Sequence, residues 1–476
     1  MGKNIVFLQL LKINNFRSFW ILQVFTLIAM QFYFLSLSWI TLDLTDSTAI
    51  LGVLLTITAL PRLILVPLGG VLLDRVSPKK LLITNISILV ISTVIFTLFL
   101  LVLPIQTWML VLFAIFFGIS SALFLPTSFA LIPNLVPAEH LQTANSFSQL
   151  SMQLSNTIGP ALAGILISSF GIPTVYATMA LFFSISLIFS FLLKHIGTKE
   201  NINNTSQDSK LNLSSLTKDI VDGVKIVNKN KLLLMLIIIS ALLNLSIVGP
   251  QQIGLPYIAN QIPNGGADHL GFLMSSIGLG TLTGVLVIGL IKNTKSKGLK
   301  AMLVTILLGV FWSLVGTSPE YIYITAFFLF ISGIFVGMLN VLVVTLIQVH
   351  SPPEALGRVM SLQLLGSTGI QPITFLVVGW VLGVISPTLL FLFSGIILVL
   401  TAGFSLLFKD IRRSDSTDEM KYDNNKEQDI ISVLKELELL KYDKRNEVVT
   451  AIVACQEEVA STHFGKDYDW KKHVNH

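Results

Sequence analysis

Long apolar runs alternate with short polar turns along the first 410 residues of the chain. Each run has about 20 residues or more, the length that an α-helix needs to cross the hydrocarbon core of a bilayer. The pattern predicts twelve membrane-spanning helices, here numbered spans 1 to 12. Their expected ranges are 19–42, 48–72, 81–103, 107–132, 143–170, 173–193, 231–258, 270–291, 299–317, 321–348, 357–384 and 387–408.

Composition supports this assignment and excludes a soluble protein. Of the 476 residues, 53% are hydrophobic and 12% are charged, whereas a soluble domain carries about 25% charged residues. The expected fold class is therefore an all-α membrane protein with twelve transmembrane helices.

The distribution of charge predicts the orientation of the helices. Basic residues outside the spans cluster in the N-terminal segment, around the turns after spans 2, 6, 8 and 10, and after span 12. The turns after odd-numbered spans hold Asp43, Asp46, Asp268, His269 and Glu320 instead. By the positive-inside rule, both termini are expected in the cytoplasm, with the chain in the inner or plasma membrane. The net charge of +5 then gives no reason to expect a nucleic-acid partner.

The spans divide into two halves. The expected organisation is a six-helix bundle at 1–193, a polar linker at 194–230, a second six-helix bundle at 231–410 and a cytoplasmic tail at 411–476. A shift of 215 positions pairs Pro137 with Pro352 and Gly164 with Gly379. Duplicated halves around a site near the middle of the membrane are the plan of secondary transporters.

The turn between spans 2 and 3 carries one acid among several bases, namely Gly70, Asp74, Arg75, Lys79 and Lys80. Gly70 permits a close helix contact, and a carboxylate such as that of Asp74 favours the positive N-terminal end of a neighbouring helix. A contact of this kind can form in one conformation and break in another. The alternative is that these charges only fix the topology.

Polar residues inside the spans are candidates for a substrate cavity. Arg62 lies well inside span 2, and a charge within a span is a functional-site hypothesis by default, although a purely structural role is equally compatible. Span 5 has an amide stripe on one helical face and span 11 repeats it, while Gln31 and Tyr33 are further candidates in span 1. The two stripes are Asn145, Gln149, Gln153 and Asn156, and Gln363, Ser367 and Gln371. Such amides either line a wet cavity, which we favour, or hold helices together.

Three segments resemble the major facilitator superfamily, in particular its drug-exporter branch of macrolide-efflux and siderophore-export proteins. Residues 69–82, GGVLLDRVSPKKLL, are similar to the signature turn between spans 2 and 3, with Ser77 where a glycine is usual. Residues 132–164 and 215–233 are similar to the entries into spans 5 and 7 of that branch. The resemblance covers about residues 13–410.

The resemblance implies roles for several of these residues. The charged turn, with Asp74, would latch the two halves on the cytoplasmic side in the outward-open state. Arg358, at the start of span 11, would be its partner across the interface. Gly159, Pro160 and Gly164 resemble a reduced form of the antiporter motif of span 5, where small residues let helices pack closely and pivot, although a simple kink is nearly as compatible.

The sequence carries opposing signals about how transport would be driven. No phosphate-binding loop of the G-x-x-x-x-G-K-[ST] type occurs, which argues against ATP hydrolysis. Proton antiport needs a titratable group, yet no Asp, Glu or His lies near the middle of a span. Asp43 is the best remaining proton acceptor, because burial can raise the pKa of a carboxyl group. The alternative of an ordinary helix-end carboxylate is favoured.

The leading hypothesis is secondary active export of a lipophilic or amphipathic compound, such as a macrolide-like drug or natural product, by alternating access with proton antiport. The alternatives are a metabolite facilitator without proton coupling, and a non-transporting scaffold or sensor that acts through the tail. The expected partners are a small-molecule substrate, a proton and the lipid bilayer. We expect a monomer that is not an enzyme and binds no cofactor.

The tail differs in composition from the rest of the chain. Apolar residues around Lys435 and Glu436 predict one amphipathic helix, and residues 448–459 predict another. The pair is equally compatible with a hairpin on the transporter, binding of a cytoplasmic partner, or contact with the membrane surface. His463 and His473 lie near Asp467, but without an established ligand spacing, so no metal site is expected.

Overall fold

The computed structural model describes residues 10–194, 224–225, 227–228, 230–262, 265–291, 297–351 and 355–408, without the side chains of residues 66–75, 138 and 231. The described residues all belong to one compact unit, Met1–Ser414. The predicted tail helices lie outside the described residues. The described residues contain no β-strand.

Twelve helices in the described part of the chain are long and apolar enough to cross a membrane. The fold-class prediction is confirmed. Spans 1 to 6 are Asn14–Thr45, Thr48–Arg75, Pro78–Val102, Thr107–Leu131, Leu141–Phe170 and Ile172–Leu192. Span 7 consists of Lys231–Gly249, a π-helical turn at Pro250–Gly254 and Leu255–Gln261. Spans 8 to 10 are Ala267–Leu290, Lys297–Val315 and Ile322–His350; span 11 is Leu356–Thr368 with Gln371–Leu382, and span 12 is Pro387–Leu406.

Two spans contain interruptions that the hydrophobic pattern does not show. Proline lacks the N–H that would bond to the carbonyl four residues earlier, so Pro250 in span 7 frees the carbonyl of Ser246. The buried indole of Trp312 in span 9 donates to that carbonyl, over 3.2 Å. In span 11 the helix stops after Thr368 and resumes just before Pro372. Both interruptions lie near the middle of the bundle.

The two halves pack in the same way. Span 1 contacts spans 5 and 6, span 2 contacts span 4, and span 3 contacts spans 4 and 6. In the second half, span 7 contacts spans 11 and 12, span 8 contacts span 10, and span 9 contacts spans 10 and 12. Each of these pairs in the first half therefore has a counterpart six spans later, which is the arrangement of a duplicated bundle.

Glycines bring spans 8 and 10 into direct backbone contact. A Cβ atom added to Gly280 would lie 3.0 Å from the Cα of Gly333 and would also collide with the Phe330 carbonyl. Gly337 lies against Thr281 in the same way. Within lipid, helices associate through such small residues because lipid tails are as apolar as their side chains. The second half depends on this close approach.

We expect Gly280→Ala to lower the melting temperature of the detergent-purified protein. The added methyl group overpacks the contact with span 10, at a cost of about 1–3 kcal/mol. Gly289→Ala in the same helix is the matched control, because a Cβ there meets nothing within 4 Å and alanine favours helix. Equal melting temperatures for the two variants would contradict the packing argument.

Candidate functional site: a polar cavity between the two halves

The halves meet mainly where span 2 crosses span 11 and span 5 crosses span 8. We call the side of the bundle that carries the turns after odd-numbered spans the odd face, and the opposite side the even face. At the crossing of spans 2 and 11, a Cβ on Gly52 would lie 3.2 Å from the Cα of Gly379. Thr48 donates to the Gly379 carbonyl over 2.9 Å, and Thr56 to the Pro372 carbonyl over 3.0 Å. These contacts lie in the half of each span nearest the odd face.

The crossing of spans 5 and 8 closes the same side. A Cβ on Gly164 would lie 2.5 Å from the Ala267 carbonyl oxygen. The Ser168 hydroxyl donates to Asp268 Oδ1 over 2.8 Å and accepts from the Asp268 backbone N–H over 3.0 Å. Together the two crossings form what we call the odd-face seam.

The predicted packing motif of span 5 lies at this junction. Gly159 faces Gln31 of span 1, since an added Cβ would lie 2.6 Å from the Gln31 Cβ. The Pro160 carbonyl and Gly164 instead face Gly271 of span 8. The motif therefore brings span 5 close to one helix of its own half and to one helix of the other half.

A cavity of about 430 Å³ lies between the halves, on the inner side of the seam. Seven carboxamide side chains and one guanidinium line it, together with apolar residues and two threonines. The polar set is Gln31, Arg62, Gln153, Asn156, Gln251, Gln252, Asn340 and Gln371, and the other lining residues are Phe34, Leu55, Thr58, Ala59, Pro160, Val248, Met274, Ile277, Gly278, Thr281, Val336 and Phe375. The lining thus mixes apolar and amide surface, with a single charge.

The amide stripe of span 5 runs from this cavity toward the even face. Gln153 and Asn156 line the cavity, where Asn156 accepts a 2.6 Å hydrogen bond from Gln31 and Gln153 donates to the Gly278 carbonyl over 3.3 Å. Asn145 and Gln149 do not line it and are exposed. Asn145 lies about 12 Å farther along the helix than Gln153. The stripe thus places two further amides between the cavity and the even face.

Arg62 contributes the only charge among the residues that line the cavity. Its side chain is half-buried. Among the residues that the structure describes, no carboxylate forms an ion pair with it; the ion pairs found there join His140 to Glu139 and His269 to Asp268. The guanidinium therefore faces a cavity whose other polar groups are neutral.

Sequence reasoning missed three of the amides, Gln251, Gln252 and Asn340. Gln251 and Gln252 belong to the π-helical turn of span 7, a type of irregularity that is frequent at functional sites. The Oε1 atom of Gln252 is buried and has no hydrogen-bond partner. The available signal was Gly249-Pro250 directly before two glutamines inside an apolar run. Asn340 is an isolated amide in span 10 and carries no comparable signal.

Besides Asn145 and Gln149, three further predicted cavity residues do not line the cavity. Tyr33 is fully buried and stacks on Phe117, with ring centroids 3.5 Å apart. Its hydroxyl lies 2.6 Å from the Thr58 hydroxyl, so it supports a lining residue from behind. Ser367 is buried and donates to the Leu364 carbonyl. Gln363 lines a smaller cavity of about 230 Å³ that shares Gln251 and Asn340 with the larger one.

Asp43 does not fit the role of a buried proton acceptor. It is exposed in the last turn of span 1, next to the left-handed residue Asp46 that ends the helix. Gln31, which does line the cavity, lies about 18 Å away along the same helix. The structure therefore favours the alternative, a helix-end carboxylate.

The latch residues are only partly described. The side chains of Asp74 and Arg75 and the surroundings of Gly70 lie outside the described part of the chain. Lys79 donates to the Leu193 carbonyl of its own half, and the backbone N–H of Lys80 donates to Ser77, which caps span 3. Arg358 is exposed in the first turn of span 11. The latch stays a prediction.

Two six-helix bundles of equivalent packing, with a polar cavity between them, follow the plan of multi-pass secondary transporters. The family model for transmembrane secretion effectors matches residues 7–460. The chain belongs to this family, within the major facilitator superfamily.

Comparison with known proteins agrees with this assignment. Macrolide efflux protein A of Streptococcus pyogenes is 24% identical over 413 residues, which cover 85% of this chain and 99% of that protein. The enterobactin exporter EntS of Shigella boydii is 25% identical over 321 residues, 67% of this chain and 73% of that exporter. The crystal structure of the nucleoside transporter NupG is similar in fold, with a TM-score of 0.64 at 14% identity over 83% of this chain and 99% of that chain.

We expect a cysteine at position 145 to react with a water-soluble maleimide, because the Asn145 side chain is exposed on the face that leads to the cavity. The background is Cys455→Ser, which removes the one native cysteine. Ser155→Cys in the same helix is the control, since the Ser155 side chain is 2% exposed and its hydroxyl has no hydrogen-bond partner to lose. Equal labelling rates at 145 and 155 would contradict a water path along this face.

Proposed function

We propose that this protein is a secondary active exporter of lipophilic or amphipathic small molecules, working by alternating access across the cytoplasmic membrane. The observation that carries the proposal is the cavity between the halves, packed shut by the odd-face seam and approached from the even face by exposed amides. A cavity that opens to one side at a time is the basis of alternating access. One chain encloses the whole cavity, so a monomer suffices.

The charge pattern supports placing the even face in the cytoplasm. Under this proposal both termini lie inside the cell, and the conformer with a closed odd-face seam is the one that loads substrate for export. In the opposite conformer the seam would separate. The charged turn with Asp74 would then engage the start of span 11, where Arg358 lies, as the family resemblance implies.

The character of the cavity lining supports an amphipathic substrate. Phe34, Met274 and Phe375 offer apolar surface, while the amides offer hydrogen-bond donors and acceptors. Two relatives are named for macrolide efflux and for enterobactin export. Both names point to outward movement of natural products, so a compound of this kind is the proposed substrate class.

Two driving forces remain candidates. Proton antiport is the first, by analogy with proton-coupled members of the superfamily. Movement without proton coupling is the second, and a specific observation favours it: none of the residues that line the cavity is Asp, Glu or His. A proton carrier would then have to lie elsewhere in the protein.

Expression of the protein in a pump-deficient host should lower the accumulation of a labelled substrate drawn from macrolides and other amphipathic natural products. Secondary transport draws on an ion or potential gradient, so a protonophore that collapses both should restore accumulation. Host cells with the empty vector are the control. If expression lowers the accumulation of none of the compounds tested, the export proposal is contradicted.

Cross-linking the odd-face seam should stop transport. The test variant combines Ser168→Cys and Asp268→Cys in a Cys455→Ser background. The native Ser168 and Asp268 are hydrogen-bonded to each other, so cysteines at these positions are close enough to favour a disulfide. Oxidation should abolish transport and a reductant should restore it, because the seam must open in each cycle. The two single-cysteine variants should be insensitive to oxidation. Full activity of the completely cross-linked protein would show that the seam does not open.

A further inference from the structure

The charge of Arg62 has no counterpart around the cavity. The seven amides and two threonines that line the cavity are neutral, and no acidic side chain of the described residues forms an ion pair with Arg62. Placing an unpaired charge inside a span is costly. Only hydrogen bonds to neutral lining groups or to water can offset the free-energy cost of this charge.

A ligand can supply the missing charge. We propose that the exported substrate is an amphipathic organic anion whose carboxylate, or an equivalent oxyanion, binds Arg62. This inference rests on the proposed export function and narrows its substrate class. A guanidinium is suited to the task because its planar fork of N–H donors matches a carboxylate with two parallel hydrogen bonds.

The remaining lining indicates further features of the substrate. The amides of Gln251 and Asn340 offer hydrogen-bond donors and acceptors to the cavity, so the substrate should carry a hydroxyl or amide N–H. Phe34 and Phe375 provide apolar surface in the same cavity. A hydroxylated or amide-containing carboxylic acid with an apolar part satisfies all three features.

The same charge works against cationic compounds. A protonated amine in the cavity would meet the like charge of Arg62, and like charges in a low-dielectric site repel strongly. No lining carboxylate is available to offset that repulsion. Basic macrolides should therefore be poorer substrates than acidic amphiphiles of the same size.

An anionic substrate also accounts for the lack of a titratable acid in the cavity. Each export cycle would carry one negative charge outward, and the inside-negative membrane potential favours that direction. A potential of 100 mV supports a concentration ratio of about 50-fold for one charge. No proton would need to bind inside the protein, and transport would be electrogenic.

Binding is tested with three dansyl probes of similar size but different charge: dansylglycine, an anion; dansylglycinamide, neutral; and dansylcadaverine, a cation. We expect the detergent-purified full chain to bind dansylglycine about tenfold or more tightly than dansylglycinamide, because hydrogen bonds to a charged group are worth at least that ratio. Arg62→Gln should remove the preference, and Arg62→Lys should keep part of it. Lys12→Gln is the matched control, since it removes one exposed positive charge far from the cavity lining.

Transport is tested in proteoliposomes with the same probes. An inside-positive potential, set with valinomycin and an inward potassium gradient, should speed uptake of dansylglycine by the wild type and by Lys12→Gln but not by Arg62→Gln. A pH gradient at zero potential should have no effect.

Three results would overturn the inference. They are equal binding of the three probes by the wild type, a preference for the cation, and an unchanged anion preference in correctly folded Arg62→Gln. A rate that follows the pH gradient and not the potential would overturn the electrogenic part. Export itself is judged by the accumulation panel, so active efflux of neutral or basic compounds would leave the proposed function standing while this inference fails.

Discussion

Hydrocarbon offers no hydrogen bonds, so each backbone group of a membrane span must be satisfied within the protein or by water. Ten of the twelve spans in the described part of the chain meet this constraint with one continuous helix. Spans 7 and 11 do not, and both are interrupted beside the cavity. Where span 7 loses a hydrogen bond at Pro250, the Trp312 indole supplies another, and the irregular turn presents Gln251 and Gln252 to the cavity. Irregular backbone thus occurs where the protein or the cavity can satisfy it.

The internal duplication explains the form of the interface between the halves. Gly164 and Gly379, which pair when the sequence is shifted by 215 positions, each lie at a crossing between the halves. One crossing joins span 5 to span 8 and the other joins span 11 to span 2, so the two crossings are related by the same six-span shift. A small residue at this position of the duplicated half would permit close backbone approach at both crossings.

The fold could be predicted largely from the sequence, because the number and spacing of apolar runs leave few alternatives to a twelve-span bundle. The cavity could be predicted only in part. Gln31, Arg62, Gln153, Asn156 and Gln371 are polar residues inside apolar spans, and the structure brings them together around one cavity. Polarity alone does not distinguish a side chain that faces the cavity from one with a partner inside a bundle.

Tyr33 shows this difficulty. Its ring packs against Phe117 and its hydroxyl meets Thr58, so a polar aromatic residue is fully accommodated within the first half. On span 5, four amides at helical spacing share one side, and the structure places two of them, Gln153 and Asn156, in the cavity lining. A lone residue such as Asn340 or Tyr33 gives no such face. For Asp43 the sequence left two alternatives, because a position near a helix end does not tell whether the chain buries the carboxylate. Its exposed position at the end of span 1 agrees with the favoured one, a helix-end carboxylate.

The hydrogen bond from Trp312 to the Ser246 carbonyl has a mechanical consequence. It ties span 9 to the carbonyl that Pro250 frees in span 7, so sliding one helix past the other would leave that carbonyl without a hydrogen-bond partner in hydrocarbon. Spans 7 and 9 are thereby held in register while the halves move. The second half should accordingly rock as a rigid body, with the change of shape confined to the surfaces that face the first half.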